Sequence, residues 1–568
     1  MTRHMERFLR SLSGVGLSLG VLFFAAALTP TLVPRTYVTQ GLLAGAAFAA
    51  GYAIGVGWRW LWHYMELPTV RESIRQKLNL TTILAATIFA IWFLWQAAEW
   101  QNSIRQLMGM APLETAHPFL VSLLATLTFI VLLGLGRGFH FLASRAARIS
   151  GRYIPRRVAN VLGITVAVII FWLFASDVVW RLGFNALDAS FREFDALMEP
   201  ERPQPTDPLK TGSPASRLSW KSLGRAGREF VASGPSAEEI SALSGRPALE
   251  PIRVYVGLQV GDTERERAAL ALEELQRVGA FERSVLVIAM PTGTGWLDPA
   301  AMDSLEYLHH GDVATVALQY SYLTSPLALI VEPDRGSAAA NAILSSIYNY
   351  WTTLPRENRP RLYLHGLSLG ALNSESSVDL FEILGDPING ALWSGPPFAN
   401  PLWRSFTANR NPGSTAWLPE YRDGSIVRFM NQNGYPDGAR YAPWGAMRIV
   451  YLQYASDSVS FFSPLGFYRE PAWMNEPRGP DISPELRWYP VVTMLQLLVD
   501  MAFATTTPLG YGHLYAPEHY VAAWHEVTEP PGWTDDELER LKLHLRAAME
   551  AAVDSVEGKE DAYGNRGG

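Results

Sequence analysis

Apolar residues in this chain follow two regimes. Up to about position 182 they form long runs with almost no polar face; from 251 onward they come as short blocks between amphipathic stretches. The long runs lie near 12–33, 38–58, 81–99, 118–136 and 158–180. Each approaches the roughly 20 residues that a helix needs to cross a bilayer. Helices of a water-soluble core would carry a polar stripe that these lack. The pattern predicts a bundle of about five transmembrane helices over 1–182. Glycine and alanine are frequent in the first two, as across Gly41 to Gly57, where small residues let backbones approach in lipid.

Basic residues between the runs predict an orientation. Arg3, Arg7 and Arg10 precede the first run, and Arg35 is alone in the next loop. Arg59, Arg71, Arg75 and Lys77 follow, then Arg105 alone, then Arg137, Arg145, Arg148, Arg152, Arg156 and Arg157. This alternation puts the N-terminus in the cytoplasm and the chain after the fifth run outside it. The first run resembles a signal peptide in its basic start, but its small residues Ala25 to Ala27 lie inside the apolar stretch, which favours an uncleaved helix. Tryptophans 58, 60, 62, 95, 100 and 180 sit at the run ends, as in an interfacial belt. Asp177 and Arg181 read as an i, i+4 pair at the water boundary.

Residues 183–250 form a connector: an amphipathic helix over Phe191 to Glu199, a Pro-rich linker from Pro200 to Pro214, then a stretch from Ser213 to Val231 expected to pack on the next domain. From 251 to 530, short β-branched blocks alternate with helical spacing. Strands are predicted at Ile252 to Gly257, Ser284 to Ala289, Ala314 to Tyr320, Leu362 to His365, Ala391 to Trp393 and Met447 to Tyr454. Continuously apolar strands separated by helices imply a parallel sheet covered on both faces. Residues 531–568 read as a helix capped by Thr534 and a disordered tail after Glu557.

The sequence RLYLHGLSLGAL, from Arg361 to Leu372, carries the chemistry. A strand, the turn Gly366-Leu367-Ser368-Leu369-Gly370 and a helix-compatible stretch form a G-x-S-x-G nucleophile elbow. Together with the sheet pattern this predicts an α/β-hydrolase domain with Ser368 as nucleophile. That fold orders its triad serine, acid, histidine. Asp457, after the strand Ile449 to Ala455, is the expected acid, ahead of Asp423 and Asp437. His513, in the loop Gly510 to Tyr515, is the expected base, ahead of His519. The expected oxyanion donors are the backbone N–H groups of Leu369, Thr292 and Gly293, the last two in the turn Pro291 to Trp296; the loop after Gly257 is the rival. Trp393, Trp403, Phe406, Trp417 and Trp444 are candidates to line an apolar cleft, and the run Tyr489 to Ala504 to form a lid, a buried helix or a helix on the outer leaflet. His309 and His310 read as surface residues.

Four stretches resemble a bacterial membrane α/β-hydrolase family with its own multi-helix N-terminal domain, common in actinobacteria: RVYVGL at Arg253 to Leu258, PTGTGW at Pro291 to Trp296, ALQYSYL at Ala317 to Leu323, and RLYLHGLSLGA around Ser368. The resemblance spans nearly the whole chain. It implies the hydrolase fold and the nucleophile at Ser368, and leaves the cleaved group undefined.

Composition narrows the rest. Of 568 residues, 48% are hydrophobic and 18% charged, which fits a membrane part joined to a soluble one. A net charge of -7 gives no basic footprint for nucleic acid. With no cysteine in the chain, disulfides, thiolate metal sites and a cysteine nucleophile are excluded. His519 and His525, six residues apart, are poorly spaced for a shared metal, and no cofactor is expected. The expected function is a membrane-anchored serine hydrolase of the esterase or lipase type. It would act on a lipid or lipid-linked ester outside the cytoplasmic face of a bacterial inner membrane. An acyltransferase using the same triad, or a non-catalytic transport or scaffold protein, are the alternatives.

Overall fold

The computed structural model describes residues 12–68, 71–174 and 183–564. The chain divides into two units, residues 1–186 with 462–508, and residues 187–461 with 509–568. The second unit is not continuous in sequence: the segment 462–508, which contains the run Tyr489 to Ala504, folds with the helical unit.

The helical unit contains α1 (Gly14–Ala27), α2 (Tyr37–Tyr64), α3 (Glu72–Leu107), α4 (Pro118–Ser150) and α5 (Arg156–Leu173). Four of these, α2 to α5, are long and apolar enough to span a membrane. The first of the five expected spans is shorter than predicted, because the helix stops at Ala27 and the chain runs irregularly to Thr36. The expected Asp177–Arg181 pair and Arg3, Arg7 and Arg10 lie outside the described residues. Helix α1 packs on α2 and α3, α2 on α4, and α4 on α5. A Cβ on Gly55 would stand 2.7 Å from the Gly16 Cα, and one on Gly45 2.6 Å from the Ala125 carbonyl oxygen. The glycine-rich sequence therefore permits real backbone-to-backbone approach. Ile88, Trp95, Phe119, Val131, Val161 and Trp172 on these helices are exposed large apolar side chains.

The segment 462–508 contributes the helix Val492–Ala502, which packs on α1 and α2. Val492 joins the apolar cluster of Phe24, Leu28, Leu43 and Phe93. Polar groups are matched as carefully. Arg35 Nε donates to Asp500 Oδ1 at 2.9 Å, and the Leu32 N–H donates to Asp500 Oδ2 at 3.1 Å. Gln496 Nε2 reaches the Thr29 carbonyl at 3.1 Å. These contacts close the irregular turn after α1, whose backbone groups would otherwise be buried without partners.

The second unit is built on seven parallel strands: β1 (Ile252–Val256), β2 (Val285–Met290), β3 (Val313–Leu318), β4 (Arg361–Leu367), β5 (Gly390–Ser394), β6 (Val427–Met430) and β7 (Arg448–Leu452). Their order is β1-β3-β2-β4-β5-β7-β6. All six predicted strands are present. The additional β6 is a four-residue edge strand between the predicted strands Ala391 to Trp393 and Met447 to Tyr454; it pairs with β7 and is too short to show a pattern in sequence. β4 lies between β2 and β5, so loops leaving the carboxyl ends of β2 and β5 flank the elbow.

The connector is more ordered than a linker. Its helix covers Gly183–Ala196, and the helix Gly224–Ala232 packs on β1, with Gly227 against the Tyr255 ring. Buried Arg228 bonds Glu199 at 2.9 Å. At the other end the C-terminal helix, Asp535–Gly564, extends through the stretch after Glu557 where a disordered tail was expected. Thr534 caps it, as expected, through reciprocal bonds with Glu537. His309, expected at the surface, is buried with Nε2 2.8 Å from Thr528 Oγ1, and burial depresses its pKa to about 3.

Candidate active site

Ser368 occupies the bend between β4 and the helix Leu369–Ser376, with φ 57° and ψ -126°. A non-glycine residue at positive φ is costly and is found where the surroundings impose it. Here the flanking glycines permit it. A Cβ on Gly366 would lie 2.3 Å from the Gly370 carbonyl carbon, and one on Gly370 2.2 Å from the Met290 carbonyl oxygen. Only glycine at both positions lets strand and helix come this close with the serine at the tip. The Ser368 N–H is held by the Ser394 carbonyl at 3.1 Å, at the end of β5.

Asp457 and His513 meet although 56 residues apart in sequence. Asp457 follows β7 and is completely buried; its Oδ2 lies 2.7 Å from His513 Nδ1. The carboxylate is fixed further by the Val459 N–H on Oδ1 at 2.9 Å and the Tyr515 hydroxyl on Oδ2 at 2.9 Å. The histidine loop is tied to the acid loop by the Gly512 N–H, which donates to Ser456 Oγ at 2.9 Å. A carboxylate on Nδ1 places the proton there, leaving Nε2 of the neutral ring as a base. Among the described residues, Nε2 of His513 has no hydrogen-bond partner. The imidazole rests on Gly395, whose Cβ would stand 2.6 Å from its Cε1. Ser368 and His513 are thus both anchored at the adjoining pair Ser394–Gly395.

The other sequence candidates are placed elsewhere. His519 Nδ1 is 2.5 Å from the Tyr454 hydroxyl, and burial lowers its pKa to about 4. Asp423 is exposed and bonds Ser425. Leu369 begins the helix after Ser368, where the first-turn N–H groups have no intrahelical acceptor. The Pro291–Trp296 turn does leave β2 beside the elbow, but the two N–H groups expected to serve there are engaged. Thr292 donates to the Trp296 carbonyl at 3.0 Å and Gly293 to Ser325 Oγ at 3.2 Å. Of the five aromatics proposed for a cleft, Trp393 and Phe406 line a cavity of about 610 Å³ beside β5 and β7, and none of Ser368, Asp457 or His513 lines it. Trp403 is instead core, its Nε1 on Gln453 Oε1 at 2.6 Å, and Trp444 covers the Arg428 guanidinium at 3.7 Å.

Three residues escaped the sequence reading. Tyr515 and Ser456 are neighbours of motif positions, and their roles exist only once the two loops meet. Asp298 had a visible signal, an aspartate directly before a proline at a helix start. It caps the helix Pro299–Leu308 through the Ala300 N–H at 3.0 Å. Burial pushes its carboxyl up to about 7, opposed by that N–H, by Tyr520 and by His513.

Two predictions arise here. Tyr515→Phe removes one of the bonds on Asp457, and a hydrogen bond to a charged group is worth about 1.5 kcal/mol or more. Turnover is expected to fall about tenfold with the melting temperature little changed; unaltered kinetics would show that the phenol does not orient the acid. For Asp298, the folded state holds a proton between pH 4 and 7 that the unfolded chain has released. Its contribution to stability therefore falls as pH rises across that window and is lowest above pH 7. Asp298→Asn should gain on wild type by a few kcal/mol between pH 4 and 7, on the order expected from such a shift, in denaturant titrations at each pH. A constant difference would contradict the raised pKa.

A parallel sheet with a strained serine elbow at the carboxyl end of its central strand defines an α/β-hydrolase. Comparison with known proteins agrees: the model described as alpha/beta-hydrolase family matches residues 252–541, and that described as alpha/beta-hydrolase family N-terminus matches residues 28–235. This chain belongs to that α/β-hydrolase family, with its dedicated N-terminal domain. No curated protein and no solved structure matches it.

Proposed function

We propose that this protein is a serine hydrolase anchored in the bacterial inner membrane by its helical unit. Its substrate would be a lipid or lipid-linked ester, cleaved through an acyl-enzyme on the extracytoplasmic side. The observation that supports this reading is the buried Asp457–His513 pair at 2.7 Å, whose imidazole rests on Gly395, next to the Ser394 carbonyl that holds the Ser368 N–H; no hydrogen bond joins His513 Nε2 to Ser368 Oγ. In the proposed reaction, Nε2 of His513 accepts the Ser368 hydroxyl proton as Oγ attacks the ester carbonyl. Asp457 holds the ring orientation and stabilises the imidazolium that forms. The Leu369 N–H, at the positive end of its helix, stabilises the oxyanion. Thr292 or Gly293 would supply the second donor only by exchanging its present acceptor for the oxyanion. The imidazolium then protonates the departing alcohol, and water repeats the sequence on the acyl-enzyme. The lipid character of the substrate is inferred from four apolar helices on the same chain.

The test is a fluorophosphonate probe applied to the full chain in detergent, followed by turnover of glycerolipid esters with and without a hydroxyl acceptor. Labelling of Ser368 and release of free acid are expected. Acyl transfer to the acceptor in preference to water would move the assignment to an acyltransferase. Absence of labelling would leave a binding or scaffold role.

A further inference from the structure

The helical unit contains a cavity of about 350 Å³ near the start of α2 and α4 and the end of α3. Leu28, Leu94, Ala97 and Val121 form an apolar floor, and no carboxylate is among its lining residues. Its polar wall carries Gln101, Arg105 and Arg35 beside hydroxyl groups and His117. Gln101 is 96% buried; its Oε1 accepts the Arg35 N–H at 2.8 Å, which fixes the amide and leaves Nε2. That buried Nε2 has no hydrogen-bond partner among the described residues, a costly state for an amide donor. Four residues further along α3, on the same helix face, Arg105 donates through Nε to the Ala111 carbonyl at 2.7 Å. Its two Nη groups have no hydrogen-bond partner among the described residues. Arg35 also lines the cavity, but its guanidinium is committed to Asp500, Gln40 and Thr31 and serves as frame.

We propose that this cavity is a binding site for an anionic single-chain amphiphile. Its carboxylate or phosphate head takes the Gln101 Nε2 donor and the Arg105 Nη groups, and the start of its acyl chain lies on the Leu28–Leu94–Val121 floor. The volume is near the lower limit for small-molecule pockets, which suits one chain and not two. Apolar lining with a few convergent donors and no opposing carboxylate selects for a negative head over a zwitterionic or neutral one. Arg35 and Arg105, each the solitary basic residue of its predicted loop, are both at this cavity. The site is formed within the helical unit and does not depend on Ser368 being a nucleophile.

The experiment uses the full chain carrying Ser368→Ala in phosphatidylcholine nanodiscs, so that hydrolysis and binding are separated. The probe is a diazirine-bearing fatty acid, with crosslinks mapped by peptide. Labelling is expected on peptides covering Leu94 to Arg105 and Leu113 to Val121. Oleate and lysophosphatidate should compete at least tenfold better than methyl oleate, and inorganic phosphate should not compete. Competition by oleate alone or lysophosphatidate alone would identify which head is bound. Gln101→Glu keeps the acceptor that Arg35 needs while placing a negative group at the head, and should cut labelling at least tenfold. Arg105→Ala should weaken it, with Arg105→Lys partly restoring it. Equal competition by methyl oleate overturns the proposal. So does labelling spread evenly over α2 to α5 and unchanged in Gln101→Glu protein of wild-type melting temperature.

Discussion

Replacing Ser368 by alanine is expected to abolish fluorophosphonate labelling and to lower ester turnover by up to about a million-fold, the scale on which removal of a triad nucleophile acts. The fold should survive. Alanine needs the same positive φ as serine, and the constraint comes from Gly366 and Gly370, which are untouched. His513→Ala should cost a similar factor, because in the proposed reaction Nε2 is the base and the two residues act as one unit. His519→Ala should be mild by comparison, since that imidazole bonds Tyr454 and not Asp457. Turnover that persists in folded Ser368→Ala protein would remove the nucleophile assignment. Turnover lost in His519→Ala and kept in His513→Ala would relocate the base.

Arg35→Ala is expected to destabilise the helical unit by about 3–5 kcal/mol, the cost of leaving one member of a buried ion pair without its partner. Side chains of both residues are almost completely buried, and Asp500 would retain only the Leu32 N–H. Asp500→Ala should be as damaging, because Arg35 would keep only neutral acceptors. Replacing both, with Arg35→Met and Asp500→Leu, is expected to recover most of the loss, since a well-packed apolar pair avoids the desolvation of two charges. Thermal unfolding in detergent reads the stability. Limited proteolysis reads whether the segment 462–508 leaves α1 and α2. Single variants with wild-type melting and no new cleavage there would show that apolar packing around Val492 alone holds the segment.

Much of the sheet was legible because each of its strands is buried on both faces. β2 and β3 are six-residue apolar blocks with no alternation to misread. The elbow was legible because its glycines are required by local backbone contact, which sequence spacing encodes. The choice of His513 over His519 rested on loop composition, and the geometry that separates them is a single 2.7 Å contact with Asp457. The turn Pro291 to Trp296 follows β2, the strand next to β4, yet the engagement of the Thr292 and Gly293 N–H groups depends on Trp296 and Ser325, one of them 32 residues away. The aromatic cleft was read from abundance, which does not separate a cavity wall such as Phe406 from core such as Trp403.

By itself the sequence determined the division into an apolar helical part and a parallel α/β part, and the place of the G-x-S-x-G bend at Ser368. These are properties of local pattern: residue periodicity sets which faces are buried, and glycine spacing sets where a strained bend can form. Tertiary structure alone decided that residues 462–508, lying between Asp457 and His513 in the chain, fold with the helices. The reason is pairing of groups that cannot be buried singly. Asp500 finds Arg35 465 positions away, and no local pattern carries that distance.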